Sequence, residues 1–247
     1  MKSRGDEIRD FFVELPVKHS FYLRKEFSMS SETMEAVKMN ETRKAQVQSA
    51  SKIRMIASIS MLSAIAAVLM LFEFPIVFIA PSFYKLDFSE VPVLIGAFAF
   101  GPIAGIAIEL VKILLNLVMN GTLTFGVGEL ANFLIGCALV APASIIYSVN
   151  KTRKGAVTGL VAGTAFMVVA GVLLNAFLLL PFYAQFMGGM DALIAVGTEM
   201  HASINSPISF ALLLVAPFNL VKGILVSVIT MLLYKRISRL IKGAATR

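Results

Sequence analysis

Apolar and polar residues fall in long blocks along this chain, not in a repeating amphipathic stripe. From residue 55 onward, apolar runs alternate with short breaks marked by charge, proline or glycine. The first run, 55–72, reads MIASISMLSAIAAVLMLF. It reaches the lower part of the roughly 17–25 residues that a bilayer-spanning helix needs. Further helices are predicted at 91–100, at 103–119 after the Gly101-Pro102 break, at 128–148, at 155–180 and at 207–234. Proline after a break pre-sets the backbone for a fresh helix start, so Pro102 opens a helix, whereas Pro142 lies inside one and predicts a kink. Between these runs lie three segments expected to be loops: 73–90, 120–127 and 183–206. The first is long and apolar at its centre, as lids often are.

Composition agrees with a chain that lives in a membrane. Hydrophobic residues make up 57% and charged residues 15%, with a mean hydropathy of +0.82. A soluble domain carries about 25% charge. The net charge of +7 does not point to nucleic acid, because the basic residues gather at the ends of apolar runs. Residues 1–52 form the one long hydrophilic region and read as a partly ordered cytoplasmic tail; 53–247 form the transmembrane domain. Six spans place both termini on one face, together with the basic connector 150–154. The opposite face carries Glu73, Asp87, Glu90, Asp191 and Glu199 against Lys85. The positive-inside rule then makes both termini cytoplasmic. The expected fold is an all-α membrane protein, six transmembrane helices in a compact bundle.

The polar residues inside these runs narrow the chemistry. The stretch 121–136, GTLTFGVGELANFLIG, runs from a flexible loop into a helix and sets Glu129 and Asn132 at a membrane mouth. Glu129 either serves a ligand or caps its helix. Glu109 and Lys112 lie three apart on one face and can pair. Asn175, Asn219 and Lys222 complete a set able to hydrogen-bond a polar heterocycle while apolar and aromatic side chains cover its faces. Lys222 sits deep in its span with no carboxylate near it in sequence, so it needs a ligand or a distant partner such as Glu109. Asn219, close to Pro217, can equally satisfy carbonyls freed by a kink. There is no phosphate-binding G-x-x-x-x-G-K-[ST] loop, no HExxH and no GxSxG, so neither ATP hydrolysis nor metal chemistry is indicated. His201 has no partner pattern for a metal, and Cys137 reads as a small packing residue. Ala57, Ser60, Ala64 and Ala67 line one helical face with small side chains, which lets a second helix approach closely. Gly155, Gly159 and Gly163 form another such face.

Four blocks, KLDFSEVPVLIGAFAFGPIAGIAIELVK, GVGELANFLIG, LLNAFLLLPFY and APFNLVKG, resemble the membrane-embedded substrate-binding subunit, or S component, of energy-coupling factor (ECF) vitamin transporters, most closely the riboflavin-specific type. The resemblance covers residues 55–240 or so, in order and spacing. It implies capture of riboflavin from outside a prokaryotic cell, with FMN the next ligand to consider. It also implies a shared transmembrane coupling subunit and two ATPase subunits, so that this chain is not itself an enzyme and holds no cofactor apart from its cargo. Carried over to these residues, it implies that Lys222 and Asn175 donate to the carbonyl edge of the isoalloxazine ring. Leu86, Asp87, Phe88 and Ser89 would cap the ligand, Glu129 and Asn132 would shape the wall, and Asn219 and Tyr183 would add to the site. The Ala57/Ser60/Ala64/Ala67 face would meet the coupling subunit. The competing reading from another class is a stand-alone secondary transporter driven by protons, with Glu109 or Glu129 as relay.

Overall fold

The computed structural model describes the backbone of residues 17–122 and 124–243, and the side-chain surroundings of 33–122 and 124–234. It divides into two units between Ile53 and Arg54. Helix α1, Val17–Leu71, supplies the second unit with its residues from Arg54 on. The backbone of 17–52, expected as a tail, is thus helical; the rest of that expected tail, 1–16, lies outside the described residues. The rest of the second unit is built from α2 (Glu90–Phe100), α3 (Pro102–Asn120), α4 (Val127–Val149), α5 (Arg153–Leu174), α6 (Leu180–Ala184), α7 (Met190–Met200), α8 (Pro207–Phe210) and α9 (Ala216–Gly243). A π turn, Asn175–Leu179, joins α5 to α6, and another, Ala211–Val215, joins α8 to α9.

Five segments are long and apolar enough to cross a bilayer: Thr33–Leu71, Pro102–Asn120, Val127–Val149, Arg153–Ala184 and Pro207–Tyr234. The remaining predicted span is α2. At 11 residues it is only about 16 Å long, well short of the ~30 Å hydrocarbon layer. What α2 lacks in length it makes up in burial, with every residue from Glu90 to Phe98 enclosed. A helix apolar all round belongs inside a core, and α2 packs there with Leu62 of α1, Ile108 of α3 and Leu139, Val140 and Ala143 of α4.

The α4–α5 contact explains the glycine face. A Cβ at Gly159 would lie 2.5 Å from the Ala143 carbonyl oxygen, and one at Gly163 would lie 2.3 Å from that of Leu139. Only hydrogen atoms fit there, so the helices approach backbone to backbone. Thr152 caps α5 by accepting from the Gly155 amide at 3.1 Å, which starts the helix at Arg153, before the predicted Gly155. Pro142 lies within α4, which continues through it to Val149.

One expectation needs correcting. The segment 183–206, read as a loop, carries α7. Leu193 and Gly197, four apart, turn inward against Phe210 and Ile204 in a second cluster with Leu180, Leu214 and Val215. Eleven residues with so narrow an apolar stripe give little periodicity to detect. The segment 73–90 is also more structured than a loop. Its ends pair as a short antiparallel ribbon, β1 (Phe74–Pro75) with β2 (Lys85–Leu86), with Phe74 opposite Leu86.

Candidate functional site

Segment 73–90 packs against α9 through its own apolar centre. Leu86 and Ala80 are fully buried against Phe218, with Ile76 and Ile79 beside them. This anchoring delivers two polar side chains. The Tyr84 hydroxyl donates to Asn175 Oδ1 at 2.6 Å, while Asn175 Nδ2 donates to the Gly171 carbonyl at 2.8 Å, so the amide is held at both ends. Asn175 opens the π turn, a local irregularity often found at functional positions in helices. Burial, with the neighbouring Tyr183, holds the Tyr84 phenol above its ordinary range, and it remains a donor.

Asp87 is the second delivered group. Its Oδ2 accepts from Lys222 Nζ at 2.8 Å, and its Oδ1 accepts from the Ser89 amide at 2.8 Å, just before α2 begins. Burial alone would raise the Asp87 carboxyl, but the Lys222 ammonium, helped by Lys112 and the two hydrogen bonds, outweighs it and brings it down to about 2. The distant carboxylate that Lys222 required is therefore Asp87, not Glu109. Glu109 instead pairs with Lys112, as their spacing allowed, at 2.7 Å. Lys112 also reaches Glu90 at 2.8 Å, and all three side chains are at most 1% exposed. Gly136 makes room for this trio: a Cβ there would lie 2.3 Å from Glu109 Oε1 and 3.2 Å from Glu90 Oε1.

Between these groups lies a cavity of about 180 Å³. Its polar lining includes Lys222, Asn219, Asn175, Asn132, Asp87, Glu90 and Tyr183; Phe83, Tyr84, Phe218, Met167 and Ile135 supply apolar and aromatic surface. Six of the residues singled out in the sequence thus come together around one space. Leu86, Phe88, Ser89 and Glu129 do not line it. Leu86 and Phe88 stand behind it as packing, Phe88 with its ring 6.2 Å from Phe74. Glu129 accepts from the Thr124 hydroxyl at 3.0 Å, and that hydroxyl accepts from the Gly128 amide, so the carboxylate completes a cap at the start of α4. Of the small-residue face, Ala57, Ser60 and Ala64 are exposed and Ala67 is buried. Sequence reasoning missed Tyr84, Phe83, Phe218, Met167 and Glu90 as lining residues. Tyr84 could have been found, since it lies in the FYKLDFSE string three residues before Asp87.

The fold and site define a helical membrane protein with one small, polar-anchored pocket roofed by a structured loop. Residues 54–234 match the family model described as "ECF transporter, substrate-specific component". The chain belongs to that family. It is 39% identical over 175 residues to the riboflavin transporter RibU of Staphylococcus aureus (strain TCH60), covering 71% of this chain and 85% of that one. It is 33% identical over 171 residues to the riboflavin transporter FmnP of Bacillus subtilis (strain 168), covering 68% and 83%. Among solved structures it resembles one described as "Structure and mechanism of the S component of a bacterial ECF transporter", with a TM-score of 0.61, 38% identity, and coverage of 77% of this chain and 99% of the other.

Proposed function

We propose that this chain captures riboflavin outside the cell as the substrate-binding subunit of an ECF transporter. The observation that carries the reading is that Lys222 and Asn175 line the same aromatic-walled cavity within a chain whose relatives are riboflavin transporters. A fixed ammonium and an amide offer donors to ring carbonyls, and Phe83, Tyr84, Tyr183 and Phe218 offer faces for a planar tricycle. Asp87, Asn132 and Asn219 supply the remaining polar contacts. Leu86, Phe88 and Glu129 hold the surrounding elements in place.

The cavity of about 180 Å³ is smaller than the roughly 300–1,000 Å³ of sites for ligands of this size. Tyr84 and Asp87 occupy the two anchors in this state. Riboflavin therefore enters as segment 73–90 moves aside, exchanging the Tyr84–Asn175 and Asp87–Lys222 contacts for contacts of its own.

In this reading α2 counts as the sixth helix of the bundle, both termini face the cytoplasm, and residues 1–52 form a cytoplasmic tail to the domain 53–247 of a multi-pass protein in a prokaryotic cytoplasmic membrane. The flavin is cargo, and no resident cofactor is needed. A transmembrane coupling subunit meets the exposed part of the Ala57/Ser60/Ala64/Ala67 face, and two ATPase subunits supply energy. Protein purified from riboflavin-containing medium is expected to be yellow, to carry a bound-flavin absorbance spectrum and to release riboflavin on denaturation. A colourless protein that leaves the fluorescence of both riboflavin and FMN unquenched on titration would overturn the reading.

A further inference from the structure

A second cavity lies away from the flavin site, as a groove of about 660 Å³ between α5 and α9. Its walls are apolar and exposed: Val161 and Ala165 on α5, Ile224 and Leu232 on α9. Arg153 closes one end. The groove exists because α5 spends its glycine face on α4, so its other face meets α9 only along a buried floor. From Arg153 to Ala165 is 12 helical steps, and from Leu220 to Leu232 is another 12. At 1.5 Å per step each wall is about 18 Å long. That is close to half of the ~30 Å hydrocarbon core, the depth of one leaflet.

The charged end has its own chemistry. Arg153 makes no ion pair or hydrogen bond through its side chain among the described residues. Lys151 on the connector and Lys154 in the first turn of α5 flank it, both exposed. No acidic residue lies between Glu129 and Asp191 in the sequence. A slot of one-leaflet depth, apolar along its walls and cationic at its rim, matches one molecule: a phospholipid with a net negative headgroup. A zwitterionic lipid fits the walls equally well, but its own headgroup cation offsets part of what its phosphate gains from the arginine and lysines.

We infer that the α5–α9 groove binds one anionic phospholipid, its phosphate on Arg153 and an acyl chain along Val161, Ala165 and Ile224. The leaflet is the cytoplasmic one if the orientation proposed above holds; the lipid chemistry does not depend on that orientation. The site is separate from the flavin cavity and shares none of its lining residues.

Delipidated full-length protein, titrated with phosphatidylglycerol or phosphatidylcholine and read by native mass spectrometry, tests this. The wild type is expected to retain one phosphatidylglycerol about fivefold more tightly than phosphatidylcholine, the worth of one interfacial arginine. Arg153→Gln should abolish that preference while leaving overall lipid retention in place. Ala165→Phe, at an exposed position, should fill the slot and weaken both lipids. Riboflavin binding, measured on the same preparations, should be unchanged in both variants and serves as the check on folding. Equal retention of the two lipids by the wild type, or a preference that survives Arg153→Gln, would overturn the inference and leave the groove to a partner helix. Because the readout is lipid mass, the absence of riboflavin binding by the wild type would defeat the transport reading without touching this one.

Discussion

At the connector end of the bundle, Phe98, Tyr147 and Tyr234 form an aromatic cluster, with Phe98 4.7 Å from Tyr147 and 5.5 Å from Tyr234 between ring centroids. Leu160, Ala156 and Val140 pack close by, and α4 meets α5 through glycines. At the other end, under segment 73–90, Lys222–Asp87 ties α9 to the segment, Lys112–Glu90 ties α3 to α2 and Tyr84–Asn175 ties the segment to the π turn, with Lys112 also paired to Glu109 within α3. One end is closed by shape, the other by charge. Close packing has a single well-fitted arrangement and resists change. Paired polar groups can exchange one partner for another at modest net cost, so long as none is left unpaired. In the function proposed above, the polar end is the part that admits the ligand and the close-packed end the part that stays fixed while it does.

This contrast can be broken from either side. The largest effect should come from Lys112→Leu, which leaves Glu90 and Glu109 buried without their cation. Loss of one partner in a buried pair costs about 3–5 kcal/mol, so a large drop in melting temperature is expected. A melting temperature within a degree or two of wild type would show that the charged end is not held as described. Gly163→Val comes next. Its side chain has no room against the Leu139 carbonyl, and overpacking of this kind costs about 1–3 kcal/mol. Thermal unfolding should register that loss while riboflavin affinity in the folded fraction stays constant. An affinity change as large as the stability change would blur the boundary between the two ends. The smallest effect is expected from Glu129→Gln, which weakens a helix cap by about 0.3–1 kcal/mol and leaves riboflavin binding alone. A tenfold loss of affinity would return Glu129 to the binding site.

The two ends were also unequally legible in the sequence. Apolar runs bounded by charge located α3 and α4 to within a residue, but the first run gave only the C-terminal part of α1, which begins at Val17 in a stretch too charged to carry an apolar signal; glycines at steps of four marked the α4–α5 contact. These are local signals that period and spacing carry. The polar end depends on pairings no local pattern contains: Asp87 and Lys222 are 135 residues apart, and Tyr84 and Asn175 are 91 apart. The sequence showed that Lys222 needed a partner without showing which one. It placed Glu129 at the mouth of a helix but left cap and ligand contact open, because only the Thr124 hydroxyl beside it tells them apart. Each π turn ends two residues before a proline, Pro181 or Pro217, which signals an irregular turn without saying that it takes the π form. Asn175 was singled out for its chemistry alone, and the irregular backbone that presents it came as an addition.

The central claim is that Lys222 is released from Asp87 to hold the flavin. Isothermal titration of riboflavin into the wild type and into Lys222→Ala tests it directly. We expect the variant to bind more weakly by about 1–3 kcal/mol, the worth of a hydrogen bond from a charged donor, equivalent to a loss of roughly 5- to 150-fold in affinity. Equal dissociation constants for the two proteins would contradict the claim and remove Lys222 from the site.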